Sequence, residues 1–328
     1  MKKTIILLVL VSVFTHGLIA QKTKIRGFMD INGKYNPVTG YTTFNLGEQD
    51  LFITSDISDR ITFLGETVFK YSSTSSSKFT IGLERAVFKY NIKGNHSFVA
   101  GKFHTPVNYW NDSYHHGRVF FPTIGRPESF NKHIVPIHNT GIGLMGQNLG
   151  KIKLGYNIMV ANGLGSSDIK DNDDSKSLTL AAHIKPLDGL RIGASSYIDF
   201  ITNGSETGEN VTQNIYSASI SYFKKIEFLS EMSYALNSTS TIDPQATYAW
   251  YLYAGYKFKD KYVPYIRIDY LEFGDEEMYF HSDKTNGYIV GLRYEVNYLT
   301  AVKAEFQVKE TESNGLTQGL NVQIAIGF

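Results

Sequence analysis

Residues 319–328 read GLNVQIAIGF, and in this stretch apolar side chains alternate with small or polar ones without a break. Successive side chains of an extended chain point to opposite sides, so one face carries Leu320, Val322, Ile324, Ile326 and Phe328. The other face carries only glycine, alanine and amide side chains. The pattern therefore predicts a β-strand with one apolar face and one polar face.

The same alternation recurs upstream, in 302–309, 288–297, 266–270, 248–257 and 151–160. Strands of soluble sheets usually run about five or six residues, whereas crossing a bilayer at a tilt takes about ten. Aromatic side chains recur near the strand ends on the apolar face, where lipid headgroups would lie. Because lipid offers the backbone no hydrogen bonds, we expect the strands to close into a barrel without a free edge.

The composition agrees with a chain of many strands. Among 328 residues, 14% are aromatic, and there are 29 Gly and only 8 Pro, which favours Tyr-rich, Gly-punctuated strands over a helical bundle. The absence of cysteine excludes a disulfide framework, a thiolate metal site and cysteine catalysis. A formal net charge of +1 gives no indication of nucleic-acid binding, and we expect no nucleic-acid partner.

The first twenty residues are predicted to be a cleaved signal peptide, which leaves 21–328 as the barrel domain. Lys2 and Lys3 precede an apolar run at 4–14, and Ala20 is a plausible cleavage residue before Gln21. The run is shorter than the roughly 20 apolar residues of a membrane-spanning helix. Export and a lipid-facing barrel together predict the outer membrane of a Gram-negative bacterium.

Sixteen candidate strands can be counted along the mature chain. Long connections are expected after odd-numbered strands, and short turns after even-numbered ones. Outer-membrane barrels have this even strand count, with short periplasmic turns and longer outer loops. The strands are predicted to begin near Lys24, Glu48, Arg60, Phe79, His96, Ile134, Gly150, Lys176, Asp188, Thr212, Lys225, Ala246, Lys261, Thr285, Leu299 and Gln318.

The whole mature chain resembles the outer-membrane porins of Gram-negative bacteria. The stretch GKFHTP at 101–106, running on into Arg126-Pro127, is similar to the family of phosphate-selective porins O and P. That resemblance implies a water-filled channel for small hydrophilic or anionic solutes, and a homotrimer. The terminal strand ending in Phe328 is similar to the segment that the barrel-assembly machinery recognises.

Parity along the strands predicts which charged side chains face the interior, where they would set ion selectivity. Fourteen basic residues against nine acidic ones predict a positive lumen and a mild preference for anions. The alternative is that neighbours of opposite charge, such as Arg267 and Asp269, pair and leave little net field. The predicted pore-lining set is Arg26, Lys70, Arg85, Lys89, Lys102, Lys153, Arg191, Arg267, Asp269, Arg293, Glu295 and Lys303; the same parity adds Lys151, Lys225, Lys257, Lys309, Asp30, Asp56, Glu66, Asp199, Glu227, Glu231 and Glu305.

The connection after the fifth strand, 105–132, is predicted to fold into the barrel and narrow it. It is too apolar for a free surface loop, and burying each large aromatic side chain would stabilise the fold by about 1.5–3 kcal/mol. An outer cap or a subunit contact is the alternative. The predicted constriction residues are Trp110, Asp112, His115, His116, Arg118 and Arg126.

Other functions leave weaker traces in the sequence. Histidines concentrate around this loop, where hydrogen-bonding or pH-sensitive roles are favoured over a metal site, and we expect no cofactor. The GxGxxG match at 141–146 precedes a turn and a strand, whereas a dinucleotide site needs a helix. The main rival to a channel is a non-conducting barrel that acts as an adhesion or receptor module; a barrel enzyme is less favoured because no GxSxG motif exists.

Overall fold

The computed structural model describes residues 22–72, 74–114, 117–163, 171, 173–280 and 282–328, so the predicted signal peptide lies outside the described residues. Sixteen antiparallel strands follow one another around a closed barrel, in which the first strand pairs with the last. The predicted fold class, an all-β transmembrane barrel of sixteen strands, is confirmed. Within the part of the chain that is described, no helix is long and apolar enough to span a membrane.

The strands account for most of the chain. Two short helices, α1 (Tyr109–Ser113) and α2 (Glu128–Asn131), and a 3₁₀ turn at Arg118–Phe120 lie between the fifth and sixth strands. The strands are β1 Lys22–Tyr35, β2 Thr42–Asp56, β3 Ile61–Tyr71, β4 Phe79–Lys93, β5 His96–His104, β6 His138–Leu149, β7 Leu154–Ala161, β8 Ser177–Ile184, β9 Leu190–Ile201, β10 Val211–Phe223, β11 Ile226–Ser238, β12 Gln245–Tyr256, β13 Tyr262–Glu272, β14 Thr285–Asn297, β15 Thr300–Thr311 and β16 Gly315–Gly327.

The seam between β1 and β16 closes through the last residue. The Gly27 amide donates to the Phe328 carbonyl oxygen at 2.8 Å, and the Phe328 amide donates to the Gly27 oxygen at 2.9 Å. A Cβ atom on Gly27 would lie 2.3 Å from the Phe328 ring and 2.9 Å from the carbonyl oxygen of Asp50. The close contacts at the seam therefore require a residue without a side chain at position 27, which is glycine.

Four predicted strand starts, those of β2, β6, β7 and β16, were wrong by three residues or more. β2 begins at Thr42 rather than near Glu48, because Phe44 and Leu46 continue the pairing with β1. β6 begins at His138 rather than near residue 134, because the loop before it extends to 137. β16 likewise begins at Gly315 rather than near Gln318, so the connections before β2 and β16 are 36–41 and 312–314.

The seventh strand also begins later than predicted. Residues 150–153 form a turn, in which Gly150 and Lys153 have φ values of 63° and 49°, and β7 starts only at Leu154. Left-handed backbone of this kind interrupts a ladder. Lys153 therefore lies on a turn and not, as predicted, on the wall of a strand.

The outer face of the barrel wall is apolar and its inner face is largely polar. On β10, Tyr216 and Ile220 are 48% and 38% exposed, whereas Ser217, Ser219 and Ser221 between and beside them are buried. Apolar side chains thus lie outside and small polar ones inside, the reverse of a soluble protein. We call the end of the barrel with the turns after even-numbered strands the short-turn end, and the opposite end the long-loop end.

The described residues of the loop 105–137 lie inside the barrel, which confirms the in-folded loop of the predicted fold. Its Trp110, Phe121 and Phe130 are fully or almost fully buried and share one apolar cluster with Tyr251 and Tyr265 of the wall. Among the described residues, the largest buried cluster is therefore the contact between this loop and the inner face of β9–β14.

Candidate functional site

The first part of the loop is fixed to the wall through α1. The Trp110 amide donates to Glu231 Oε1 at 2.6 Å, and Asn108 Nδ2 donates to Ser233 Oγ at 2.8 Å. The Trp110 ring lies 6.0 Å from the Tyr251 ring in an edge arrangement. These contacts place α1 against β11 and β12, across the barrel interior from β4.

Asn111 joins the two ends of the loop. Its side chain is completely buried, and Nδ2 donates to the carbonyl oxygens of Thr105 at 2.8 Å and Ile137 at 2.9 Å. An amide group with two donor hydrogens can bind both carbonyl oxygens at once, one just after the end of β5 and one just before the start of β6. The entrance and exit of the loop are thereby held together at the long-loop end.

Three cations on adjacent strands bind the backbone of the loop; we call Arg267, Arg293 and Lys303 the carbonyl clamp. They are 3%, 6% and 0% exposed. Lys303 Nζ donates to the carbonyl oxygens of Arg118 at 2.6 Å and Thr123 at 3.1 Å. A loop inside a barrel leaves carbonyls without a ladder partner, and the clamp satisfies them.

The two arginines of the clamp bind the next part of the loop. Arg293 Nη1 donates to the Pro122 oxygen at 3.1 Å. Arg267 donates through Nη1 to the Gly125 oxygen at 2.8 Å and through Nη2 to the Arg126 oxygen at 3.1 Å. Cations on β13, β14 and β15 therefore bind five carbonyl oxygens of the loop between residues 118 and 126.

Carboxylates on the same face neutralise the two arginines. Asp269 Oδ2 accepts from Arg267 Nε at 2.8 Å, and Glu295 Oε1 accepts from Arg293 Nη2 at 2.9 Å. Glu227 also accepts from Arg293 Nη2, at 2.7 and 2.9 Å. The pairing alternative of the sequence analysis holds for these groups, and the clamp cations are buried against the loop instead of facing open water as predicted.

At the other end of α1, Asp112 meets the wall at β9. Arg191 Nη2 lies 2.9 Å from Asp112 Oδ2, and its guanidinium carbon lies 5.0 Å from the centre of the Tyr109 ring. Burial raises the pKa of the Asp112 carboxyl above its ordinary value, and the charge of Arg191 works against that rise. Both predicted residues are therefore brought together, one from the loop and one from the wall.

The two remaining predicted arginines of the loop lie on the side away from the clamp. Arg118 Nη2 lies 3.1 Å from Glu48 Oε2, and its guanidinium carbon is 5.0 Å from the centre of the Phe121 ring. Burial, followed by the neighbouring charge of Arg118, lowers the pKa of Arg126 to about 10. Arg126 thus stays protonated at neutral pH beside a second cation.

The wall opposite these arginines carries charges of both signs. Lys70 Nζ lies 3.4 Å from Glu48 Oε1 and 3.5 Å from Glu84 Oε1. Arg85 forms an ion pair with Glu66, and its guanidinium carbon lies 5.5 Å from the centre of the Phe52 ring. β2, β3 and β4 thereby present an interlocked set of charged side chains to the loop.

Two histidines continue this charged wall. His138 Nε2 lies 3.0 Å from Glu84 Oε2, His104 Nε2 lies 3.8 Å from Glu66 Oε2, and the two rings are 5.3 Å apart. Among the described residues, no three His, Asp or Glu side chains are arranged so that they could hold a metal ion. The predicted constriction residues His115 and His116 lie outside the described residues.

Four further members of the predicted pore-lining set have different surroundings. Arg26 on β1 is exposed, Lys89 on β4 is half-buried, and Lys102 on β5 is buried. Lys153 belongs to the turn before β7 and lines a cavity at the short-turn end. Their role as pore-lining residues stays a prediction.

Sequence reasoning missed three acidic residues of the charged wall, Glu48, Asp50 and Glu84. Glu48 and Asp50 have the same parity as Asp56, which was assigned to the interior, so the alternation itself could have found them. Glu84 could not be found this way. A register shift between β3 and β4 after Glu66 places Glu84 and its neighbour Arg85 both inside.

Cavities lie on both sides of the 3₁₀ turn. An outer cavity of about 460 Å³ is lined by Glu48, Lys70 and Arg118. A middle cavity of about 200 Å³ is lined by Glu66, Arg85, Gly117 and Phe120, and it shares Asp112 and Ser113 with a cavity of about 320 Å³ at the short-turn end. The outer and middle cavities therefore lie along the charged wall of β2–β4, on the side that the loop leaves free.

No protein-family model and no curated protein matches the sequence. Solved structures do match over nearly the whole chain. An anion-selective porin from Comamonas acidovorans has a TM-score of 0.67 at 12% identity, covering 94% of this chain and 100% of that one. An in-vitro folded outer membrane protein of Vibrio cholerae, OmpT in a trimer form, has a TM-score of 0.66 at 13% identity, covering 94% and 100%. The outer membrane channel DcaP of Acinetobacter baumannii has a TM-score of 0.65 at 10% identity, covering 95% and 99%. At these identities the likeness concerns the fold, and the chain is a porin-like barrel of sixteen strands.

Proposed function

We propose that the protein is an outer-membrane porin, a water-filled channel through which small hydrophilic solutes diffuse passively and without turnover. The observation that carries the proposal is the loop 105–137, which narrows the barrel and leaves cavities lined by charged side chains on both sides of its 3₁₀ turn. A barrel closed only for stability would need no such passage. The names of the matched structures, a porin and a channel, agree with the proposal.

A mild preference for anions is part of the proposal. Arg118 lines the outer cavity, and its repulsion of the neighbouring Arg126 is the second cause, after burial, of the lowered pKa of Arg126. The clamp cations are buried against the loop, and carboxylates neutralise the two arginines among them, so the clamp adds little to the field in the water. The large positive excess obtained from parity therefore shrinks, and a weak preference remains.

The preference is not extended to phosphate. Three of the four Lys and Arg side chains that line the outer and middle cavities are already paired: Lys70 with Glu48 and Glu84, Arg118 with Glu48, and Arg85 with Glu66. A tight phosphate site needs several cations free to form charge-assisted hydrogen bonds with one anion. Weak selection by charge and size is the behaviour that this wall supports.

Location and assembly follow from the same proposal. We expect the chain to reach the Gram-negative outer membrane after removal of residues 1–20, and to insert through the barrel-assembly machinery by its last strand, which ends at Phe328. A homotrimer is proposed, supported by the trimer form of the matched Vibrio cholerae protein.

Planar lipid bilayers test the proposal directly. Purified wild-type protein is expected to give stepwise conductance, with a reversal potential in a salt gradient on the anion-selective side. Replacing both loop arginines (Arg118→Gln with Arg126→Gln) should move the reversal potential toward cation selectivity, whereas Arg60→Gln on an exposed short turn should not. Absence of conductance steps would reject the channel in favour of an adhesion or receptor barrel. Cation preference in the wild type would reject the anion preference alone.

A further inference from the structure

The cavity at the short-turn end has features that a passage for hydrated ions does not require. Its volume of about 320 Å³ lies at the lower end of the range for small-molecule sites, about 300–1,000 Å³. It lies between α1 of the loop and the turns that join β6 to β7 and β8 to β9. One wall therefore comes from the loop and the others from the barrel.

Aromatic faces form the apolar part of this cavity. Tyr109 of α1 and Phe223 at the end of β10 both line it, and their rings are nearly parallel, with centres 6.4 Å apart and planes at 21°. The Tyr114 ring holds both of them edge-on, at 5.5 Å from Tyr109 and 6.3 Å from Phe223. The rings are thus fixed in place while part of their surface faces the cavity.

Cations form the polar part. Lys153, Lys185 and Arg191 line the cavity, together with the carboxylates of Asp112 and Asp188. Both carboxylates already have partners, because Asp112 is bound by Arg191 and Asp188 forms an ion pair with Lys224. Within the described part of the chain, Lys153 and Lys185 have no carboxylate within ion-pairing distance. The charges of Asp188 and Asp112 act on Lys153 and Lys185 only at longer range. Two ammonium groups without a direct ion pair therefore lie beside an aromatic surface.

We infer that this cavity is a binding subsite for small aromatic anions, such as aromatic carboxylates. The ring of the solute packs against Tyr109 and Phe223, and its carboxylate binds the ammonium groups of Lys153 and Lys185. An aliphatic carboxylate lacks the ring contact, and an aromatic cation is repelled by the lysines. The inference rests on the proposed channel and names the solute class that it retains at the short-turn end.

Benzoate is a suitable probe, with acetate and benzylammonium as the two controls that lack one half of the recognition. Benzoate added on the short-turn side should interrupt the single-channel current at concentrations at least fivefold lower than either control. Titration calorimetry of the full-length protein in detergent should show the same order of affinity. The double variant Lys153→Gln with Lys185→Gln should weaken benzoate binding at least fivefold.

The matched control removes two lysines from another turn at the same end, Lys259→Gln with Lys261→Gln, both exposed and outside the cavity. Benzoate binding should be unchanged in this variant. Equal binding by all three proteins would overturn the subsite while conductance steps leave the channel standing. Absence of conductance, with calorimetric binding that is still lost in the Lys153 and Lys185 variant, would overturn the channel and leave the subsite standing.

Discussion

Replacing Lys303 with methionine tests whether the carbonyl clamp keeps the loop inside the barrel. Lys303 is completely buried and donates to two loop carbonyls, at Arg118 and Thr123, as well as to Gln323 Oε1 at 3.2 Å. Methionine has a similar length but no hydrogen-bond donor. The two loop carbonyl oxygens would therefore remain buried without a donor. The backbone ladder of β15 with β14 and β16 does not involve this side chain, and we expect the barrel to form.

The expected magnitude follows from the two loop carbonyls. A buried acceptor left without a donor costs about 1–3 kcal/mol, so the docked loop would lose about 2–6 kcal/mol. Removing the ammonium also removes the cost of burying a charge, which argues for the lower end of that range. Even 2 kcal/mol multiplies the ratio of undocked to docked loops by roughly thirty.

Single-channel conductance and the largest solute that can pass should both reveal how often the loop is undocked. Lys303→Met should raise the mean single-channel conductance and admit larger neutral sugars in liposome-swelling assays. Lys89→Met removes the same charge from a position on β4 that is predicted to face the interior, and no contact between the described part of the loop and the Lys89 side chain is seen. Any change in ion selectivity common to both variants reflects charge alone. If Lys303→Met keeps the wild-type conductance and sugar limit while the barrel is folded, the clamp does not hold the loop in the passage.

Three further predictions concern the seam, the outer face and the loop. Gly27→Ala should lower the temperature at which the folded barrel loses its heat-modifiable mobility on a gel. The added Cβ would lie 2.3 Å from the Phe328 ring, and overpacking costs about 1–3 kcal/mol. Gly33→Ala on the same strand is the control, because its Cβ would meet its nearest neighbour at 3.4 Å and should change this temperature little. Equal temperatures would contradict the tight seam. Val290→Arg places a charge in the middle of β14, where the side chain is 62% exposed, and should destabilise the barrel by about 2–4 kcal/mol in urea titrations in lipid vesicles. Leu316→Arg at the start of β16 should cost only about 0–1 kcal/mol. Equal effects would show that this outer face is not in lipid. Because the charge of Arg126 is present below its pKa of about 10 and lost above it, the anion preference of the wild type should fall more steeply through that pH than that of Arg126→Gln, and parallel reversal-potential curves would reject its role.

The fold could be predicted because its cause is repeated along the chain. Lipid on one side and water or polar contacts on the other impose a period of two on every strand, as in 319–328, and the register of the wall then follows from neighbour to neighbour. Only local departures escaped this reasoning. The turn at 150–153 and the bulge that turns both Glu84 and Arg85 inward depend on single backbone conformations that alternation does not encode.

The candidate site was less predictable because it depends on contacts between distant parts of the chain. Arg85 and Arg267 have the same inward parity, but Arg85 faces a cavity and Arg267 binds the backbone of a loop that is more than a hundred residues away in sequence. Parity tells which face a side chain takes, and it does not tell what occupies the space beyond. The sequence predicted a loop inside the barrel, but it did not indicate which part of the wall the loop would contact. The partners of the inward-facing charges could therefore not be predicted.

The position of the loop also decides how interior charge should be read in a barrel of this kind. An irregular segment inside the barrel leaves carbonyl oxygens that no ladder satisfies, so one part of the wall must supply donors, and buried donors are best provided by long cations with carboxylate neighbours. Here that part is β13–β15, with the clamp formed by Arg267, Arg293 and Lys303. Charges on that side stabilise the loop, while charges on β2–β4 face the passage. Ion selectivity should therefore respond to Arg118 or Lys70, which line the outer cavity, and pore size should respond to the clamp. A clamp variant that changed selectivity without changing pore size would contradict this division between the two sides of the barrel.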